Sequence, residues 1–61
     1  MKVIYNGKEY LLQGGDAWNE KRFEVLKTMN KTGKVVIIDD NREKYLVPIG
    51  ELTVEPESYN Y

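Results

Sequence analysis

The tightest grouping of side chains able to do acid–base or metal chemistry in this 61-residue chain is Asp39-Asp40 with Glu43. Paired carboxylates can divide acid and base roles, and hard divalent cations favour clustered carboxylates. The spacing matches no EF-hand loop, however. Asp and Asn are also common turn formers, because their side chains bond the backbone two residues on, so Asp39 to Arg42 reads as a turn. Nucleophilic catalysis lacks its parts: Ser58 is the sole serine, and no histidine or cysteine is present to activate or replace it. The same two absences remove thiolate zinc ligands, the commonest metal ligand and any disulfide. Gly14-Gly15 ahead of Asp16 comes nearest to a phosphate loop. It lacks the Gly-x-Gly-x-x-Gly or Gly-Lys-Ser context and places an acid at the expected helix start. These residues point to a chain that binds rather than catalyses, with no cofactor and no metal.

Such a chain still has to build a core. Its length allows one domain, expected over residues 1–56, with 57–61 as a polar, tyrosine-containing tail. Hydrophobic residues at 41% and charged residues at 31% give a globular balance. A domain this small without disulfide or metal needs tight packing, self-association or a partner. No apolar run approaches the roughly 20 residues of a membrane span, and the N-terminus turns polar too soon for a signal peptide. A cytoplasmic protein is the expectation. The formal net charge of −1 supplies no global positive field to draw in phosphates.

The elements follow from local chemistry. Lys2 to Tyr5 and Lys8 to Leu12 are β-rich and flank Asn6-Gly7, two residues that tolerate the positive φ of a type I′ turn. A two-residue loop pairs Tyr5 with Lys8, Val3 with Tyr10 and Met1 with Leu12. After Gln13-Gly14-Gly15, Asp16 is the expected N-cap of a helix over residues 17–30, closed near Lys31-Thr32-Gly33. Lys34 to Asp39 carries four consecutive β-branched residues, the mark of a strand buried on both faces. Lys44 to Ile49 returns as its hairpin partner. Pro48-Ile49-Gly50 then bends the chain or ends at an edge, and Glu51 to Glu55 alternates as a last short strand.

The helix carries the most informative anomaly. At 100° per residue, Val25, Trp18, Met29, Leu26 and Phe23 fall on an arc of roughly 160°, which is expected to lie on the sheet. Arg22 sits at the centre of that arc. Either the helix rolls and Arg22 runs its stem along the core edge or stacks on Trp18, or the arc is split and Trp18, Arg22 and their neighbours face a partner. Phe23 lies at the margin and shares the ambiguity. Lys27, Lys31 and Lys34 surround the helix C-terminus, where the dipole accounts for them.

The order is therefore ββαββ with an extra short strand, an α+β mini-domain with one helix on a small, mostly antiparallel sheet. A β-grasp-like layout is expected, with an SH3-like bent barrel carrying an inserted helix as the alternative. Val3-Ile4-Tyr5-Asn6-Gly7-Lys8, followed by an Asp16-Ala17 helix start with Glu20-Lys21 and Phe23, resembles the immunoglobulin-binding domains of streptococcal protein G. The first hairpin is shorter than theirs, the Trp lies in the helix, and the second hairpin matches only at Asp39-Asp40. The resemblance implies the β-grasp-like layout, and no residue role is carried over from it.

The functional expectation is a non-catalytic protein–protein interaction module, an inhibitor or adaptor of the phage or mobile-element kind that binds a larger protein. The contact residues expected are Trp18, Arg22, Phe23, Tyr59 and Tyr61, with an exposed sheet edge as a further device for a partner strand or a second copy. One alternative is a single-strand nucleic-acid-binding or transcription-associated domain using the tyrosine-bearing sheet face. A second is a structural subunit of a larger assembly.

Overall fold

The computed structural model describes residues 1–55, the Asp16 side chain excepted. Strands β1 (Lys2–Tyr5), β2 (Lys8–Leu12), β3 (Lys34–Ile38), β4 (Lys44–Pro48) and β5 (Thr53–Val54) form one sheet in the order β4-β3-β2-β1-β5. Helix α1 (Glu20–Met29) joins β2 to β3, and 3-10 turns occupy Gly15–Ala17 and Ile49–Glu51. Every strand pairing is antiparallel. The β-grasp-like layout is corrected here, because that arrangement sets the first and fourth strands side by side and parallel. In this chain β2 and β3 stand between β1 and β4, and β5 pairs with β1 instead. The sequence signals elements but not the partner each strand selects, and the two hairpins met edge to edge.

Asn6 and Gly7 take φ of 52° and 75°, as a type I′ turn requires, and the register pairs Tyr5 with Lys8 and Val3 with Tyr10. Met1 accepts from the Leu12 N–H at 2.9 Å, completing the expected pairing. At the other end of the chain Pro48 closes β4, and the Ile49–Glu51 turn redirects the backbone into β5. The Glu55 N–H then bonds the Lys2 carbonyl at 3.1 Å.

The helix begins three residues later than Asp16-Ala17 suggested. Gly14 and Gly15 take φ of 118° and 52°, Trp18 is extended, and Asn19 is the N-cap, its Oδ1 accepting from the Arg22 N–H at 2.8 Å. Two consecutive positive-φ glycines make a turn that cannot pass directly into a helix. The chain therefore spends Gly15–Ala17 on a 3-10 turn before Asn19 can cap.

Val3, Leu12, Phe23, Ile37, Val47, Ile49 and Leu52 form the core. Phe23 is the one helical residue in it. Four strands thus supply one residue each, and the 3-10 corner after β4, with Leu52 beyond it, supplies the rest. Strand β3 is less enclosed than its β-branched run suggested: only Ile37 is buried, and Val35, Val36 and Ile38 are half-buried. No helix among the described residues is long and apolar enough to cross a membrane.

Candidate functional site

Helix α1 is fixed to the sheet on a narrow line. Phe23 is fully buried and meets Trp18 edge to face at a centroid distance of 6.0 Å. One turn later the half-buried Lys27 donates from Nζ to the Leu52 carbonyl at 2.6 Å, so its stem lies along the protein and its charge serves a backbone acceptor. Phe23 and Lys27, four residues apart, define the inward face.

The opposite face is the surprise. Val25 is 48% exposed, Leu26 40% and Met29 76%, so most of the apolar arc that the sequence assigned to the sheet faces outward. With exposed Arg22 these residues stand at positions 22, 25, 26 and 29, the i, i+3, i+4, i+7 spacing of one continuous helical ridge. Asn19, Lys21, Arg22, Val25 and Leu26 border a shallow depression on it. The physical reason is size. A sheet floor already filled by Val3, Leu12, Ile37 and Val47 has room for one large helical side chain, and Phe23 takes it.

The expected contact residues therefore divide. Arg22 is exposed, with Nη1 donating to the Ala17 carbonyl at 3.1 Å, which ties the guanidinium to the start of its own helix rather than to the core. Trp18 is half-buried and packed against the core. Phe23 is corrected from contact residue to core, since a side chain with no exposed surface can touch no partner. Tyr59 and Tyr61, with the whole of residues 57–61, lie outside the described residues. Val25, Leu26 and Met29 were missed. The signal that could have found them is Arg22 itself, because a cation at the centre of an apolar arc marks the part of the arc that does not meet the core.

The turn between β3 and β4 behaves as its composition implies. Asp39 Oδ1 accepts from the Asn41 and Glu43 N–H groups at 2.8 and 2.9 Å, and Oδ2 accepts from the Tyr45 hydroxyl at 2.8 Å. Burial pushes the Asp39 carboxyl up. The Tyr45 hydroxyl, the two backbone donors and the Lys8 charge outweigh that push and hold it below its ordinary value. Hydrogen bonding to Asp39, then burial and nearby charge, push the Tyr45 hydroxyl up to about 12. Tyr45 also ends a row of tyrosines, meeting Tyr10 edge to face at 6.0 Å, while Tyr10 meets Tyr5 at 6.2 Å and Lys8 Nζ lies 5.7 Å from the Tyr10 ring.

A second carboxylate pair lies on the outer face of the sheet, away from the core. Glu55 faces Glu9, whose Oε1 is 3.4 Å from Lys2 Nζ. The hydrogen bond between the two carboxyls pushes Glu55 up and Glu9 down; burial raises both, and Lys2 lowers both. Among the described residues no three His, Cys, Asp or Glu side chains come together as a metal site. No protein-family model, no curated protein and no solved structure matches the chain.

Proposed function

We propose that this chain is a non-catalytic protein-binding module, an adaptor or inhibitor that docks on a larger protein through the Arg22, Val25, Leu26 and Met29 ridge of α1. The observation that carries the reading is the outward placement of that ridge on a helix held by Phe23 and Lys27 from the other side. Exposed apolar side chains at i, i+3, i+4 and i+7 are the pattern by which a helix enters a partner's groove, and the arginine beside them is a residue type enriched at binding hot spots.

The shape and charge of the ridge define the partner. A ridge on a helix of 10 residues meeting only its own copy offers little toward the ~800 Å² per partner of a stable interface. A concave apolar groove wraps the ridge and buries more. Lys21 and Arg22 add two exposed cations in the first turn of the helix, where the dipole is already positive, and neither forms an ion pair among the described side chains. The groove is therefore apolar with an acidic rim.

The strand order and the 3-10 corner at Ile49–Glu51 also support reading the sheet as an SH3-like bent barrel with an inserted helix. The Tyr5, Tyr10 and Tyr45 row favours the nucleic-acid alternative, since bases stack on aromatic faces. Asp39 and Glu43 stand beside Tyr45, however, and repel phosphates, which leaves the ridge as the better-supported surface.

The test is photocrosslinking from a benzophenone side chain placed at Met29, in lysate of the natural host, with and without Val25→Asp. The expected result is one discrete adduct that Val25→Asp removes without changing the melting temperature. An adduct indifferent to Val25→Asp would overturn the reading, as would binding to nucleic acid that falls steeply with salt.

A further inference from the structure

The two edges of the sheet are unequal. Strand β5 has two residues, and the N–H that follows it is already bonded to β1. Strand β4 has five residues and, among the described residues, a single neighbour, β3. In an antiparallel ladder the residues of a strand alternate between bonding their partner and aiming their N–H and C=O away from it. Here the Asp39 N–H donates to Glu43 at 3.0 Å and the Ile49 N–H to Gly33 at 2.7 Å, and the register between them pairs Ile37 with Tyr45 and Val35 with Val47. Counting in twos along that register, Tyr45 and Val47 bond back to β3. Lys44 and Leu46 aim their N–H and C=O groups outward.

Natural edges are guarded by bulges, inward charges, prolines or brevity. Pro48 guards one end of β4 and the Lys44 side chain the other, but among the described residues nothing guards the middle. Leu46 is 66% exposed on the outer face, and Tyr45 is 42% exposed on the inner face. Among the described residues the tyrosine row that crosses the sheet from Tyr5 through Tyr10 stops there, at a ring with an open side.

We propose that β4 pairs antiparallel with β4 of a second copy, across a two-fold axis at Tyr45. Lys44 of one copy then stands opposite Leu46 of the other. Both outward residues exchange both bonds, giving four new backbone hydrogen bonds. Tyr45 meets its own equivalent in the closely spaced, non-bonded position, where side chains approach most nearly, and the aromatic row continues from one sheet into the other. On the outer face Leu46 lies against the aliphatic stem of the other copy's Lys44. A second copy fits better than an open chain of copies because β5 is too short to receive β4. The contact is therefore isologous and closes as a dimer.

The experiment combines sedimentation equilibrium with hydrogen exchange over a dilution series of the full chain. The expected result is a monomer that doubles in mass with concentration, while the amides of Lys44 and Leu46 pass from unprotected to protected. The Tyr45 amide, bonded within the chain, stays protected throughout and serves as the internal standard. Leu46→Pro removes only an outward donor, so it is expected to keep the melting temperature of the dilute chain and abolish the doubling. If that variant fails to fold, the exchange pattern of the unaltered chain decides. A chain monomeric at every concentration would overturn the proposal. So would a dimer that leaves the Lys44 and Leu46 amides open, or protection that appears only on adding a foreign peptide.

Discussion

The Tyr45 hydroxyl and the Asp39 carboxylate, six residues apart, are joined by a 2.8 Å hydrogen bond that closes the inner side of the β3–β4 hairpin. The same carboxylate holds two turn amides, so one side chain organises both the turn and the first strand residues beyond it. Two titrations should report this. Tyr45 is expected to ionise near 12 in an ultraviolet titration, and Asp39→Asn is expected to bring it down. On the acid side Asp39 is lowered, so its stabilisation is present above the ordinary Asp value and lost as pH falls through the folded value. Asp39→Asn should therefore flatten the acid limb of the stability curve. An unchanged limb would mean the bond is not formed in solution.

Helix α1 makes a sharp prediction about which apolar side chains matter to the fold. Phe23→Ala removes a fully buried aromatic and should cost about 3–5 kcal/mol in urea denaturation. Val25→Ala and Met29→Ala should each stay within about 0.5 kcal/mol of the parent chain, because their side chains face outward. A Val25 cost comparable to that of Phe23 would show that the helix is rolled relative to the arrangement described.

The Glu9 and Glu55 pair gives β5 a pH dependence. Glu55 is raised, so its contribution is present below the ordinary Glu value and fades as pH rises through the folded value. Glu9 is lowered, so its contribution runs the other way and is lost on acidification. Protection of the Glu55 amide, which bonds the Lys2 carbonyl, is expected to fall as pH rises from the ordinary Glu value through the raised folded value. Glu55→Gln keeps a donor toward Glu9 at every pH, and its protection should stay level. The same decline in both chains would remove the carboxyl pair as the cause.

Gly50 tests the joint between the end of the helix and the corner after β4. Its N–H bonds the Lys31 carbonyl at 2.9 Å, and a Cβ placed there would lie 2.7 Å from that same oxygen. Backbone cannot swing aside as a side chain can. Gly50→Ala is therefore expected to cost about 1–3 kcal/mol in thermal or urea unfolding. Gly15→Ser offers a contrast, since nothing lies within 4 Å of an added Cβ there and only the positive φ opposes the change. Equal stability of Gly50→Ala and the parent would mean the corner stands off from Lys31.

The local half of this fold was readable. Asn6-Gly7 dictated a turn type, the turn type dictated a register, and the structure has that register residue for residue. Pro48-Ile49-Gly50 likewise announced a bend, and the 3-10 corner sits there. Strand neighbours were not readable, because β-propensity describes a strand's surface without naming the strand beside it. The candidate site was half legible for a related reason. Periodicity found the apolar arc of α1 but could not say how much of it the core had room for. That depends on the volume of Val3, Leu12, Ile37 and Val47, which arrive from four different strands. Arg22 was the one local clue to the answer.

Pairing of β1 with β5 brings the first and last strands of the described chain into adjacent places in the sheet. A short peptide could therefore join them, and new ends could be opened at Asn41-Arg42, outside every strand ladder. Such a circular permutant would keep all five strands in their present neighbourhoods while exchanging which of their contacts are local. The slowest closure in the natural chain, the return of β5 to β1, would become a simple hairpin. The long search would pass to β3–β4, a ladder of five registered pairs against the two of β1–β5, so the permutant should fold more slowly than the natural chain.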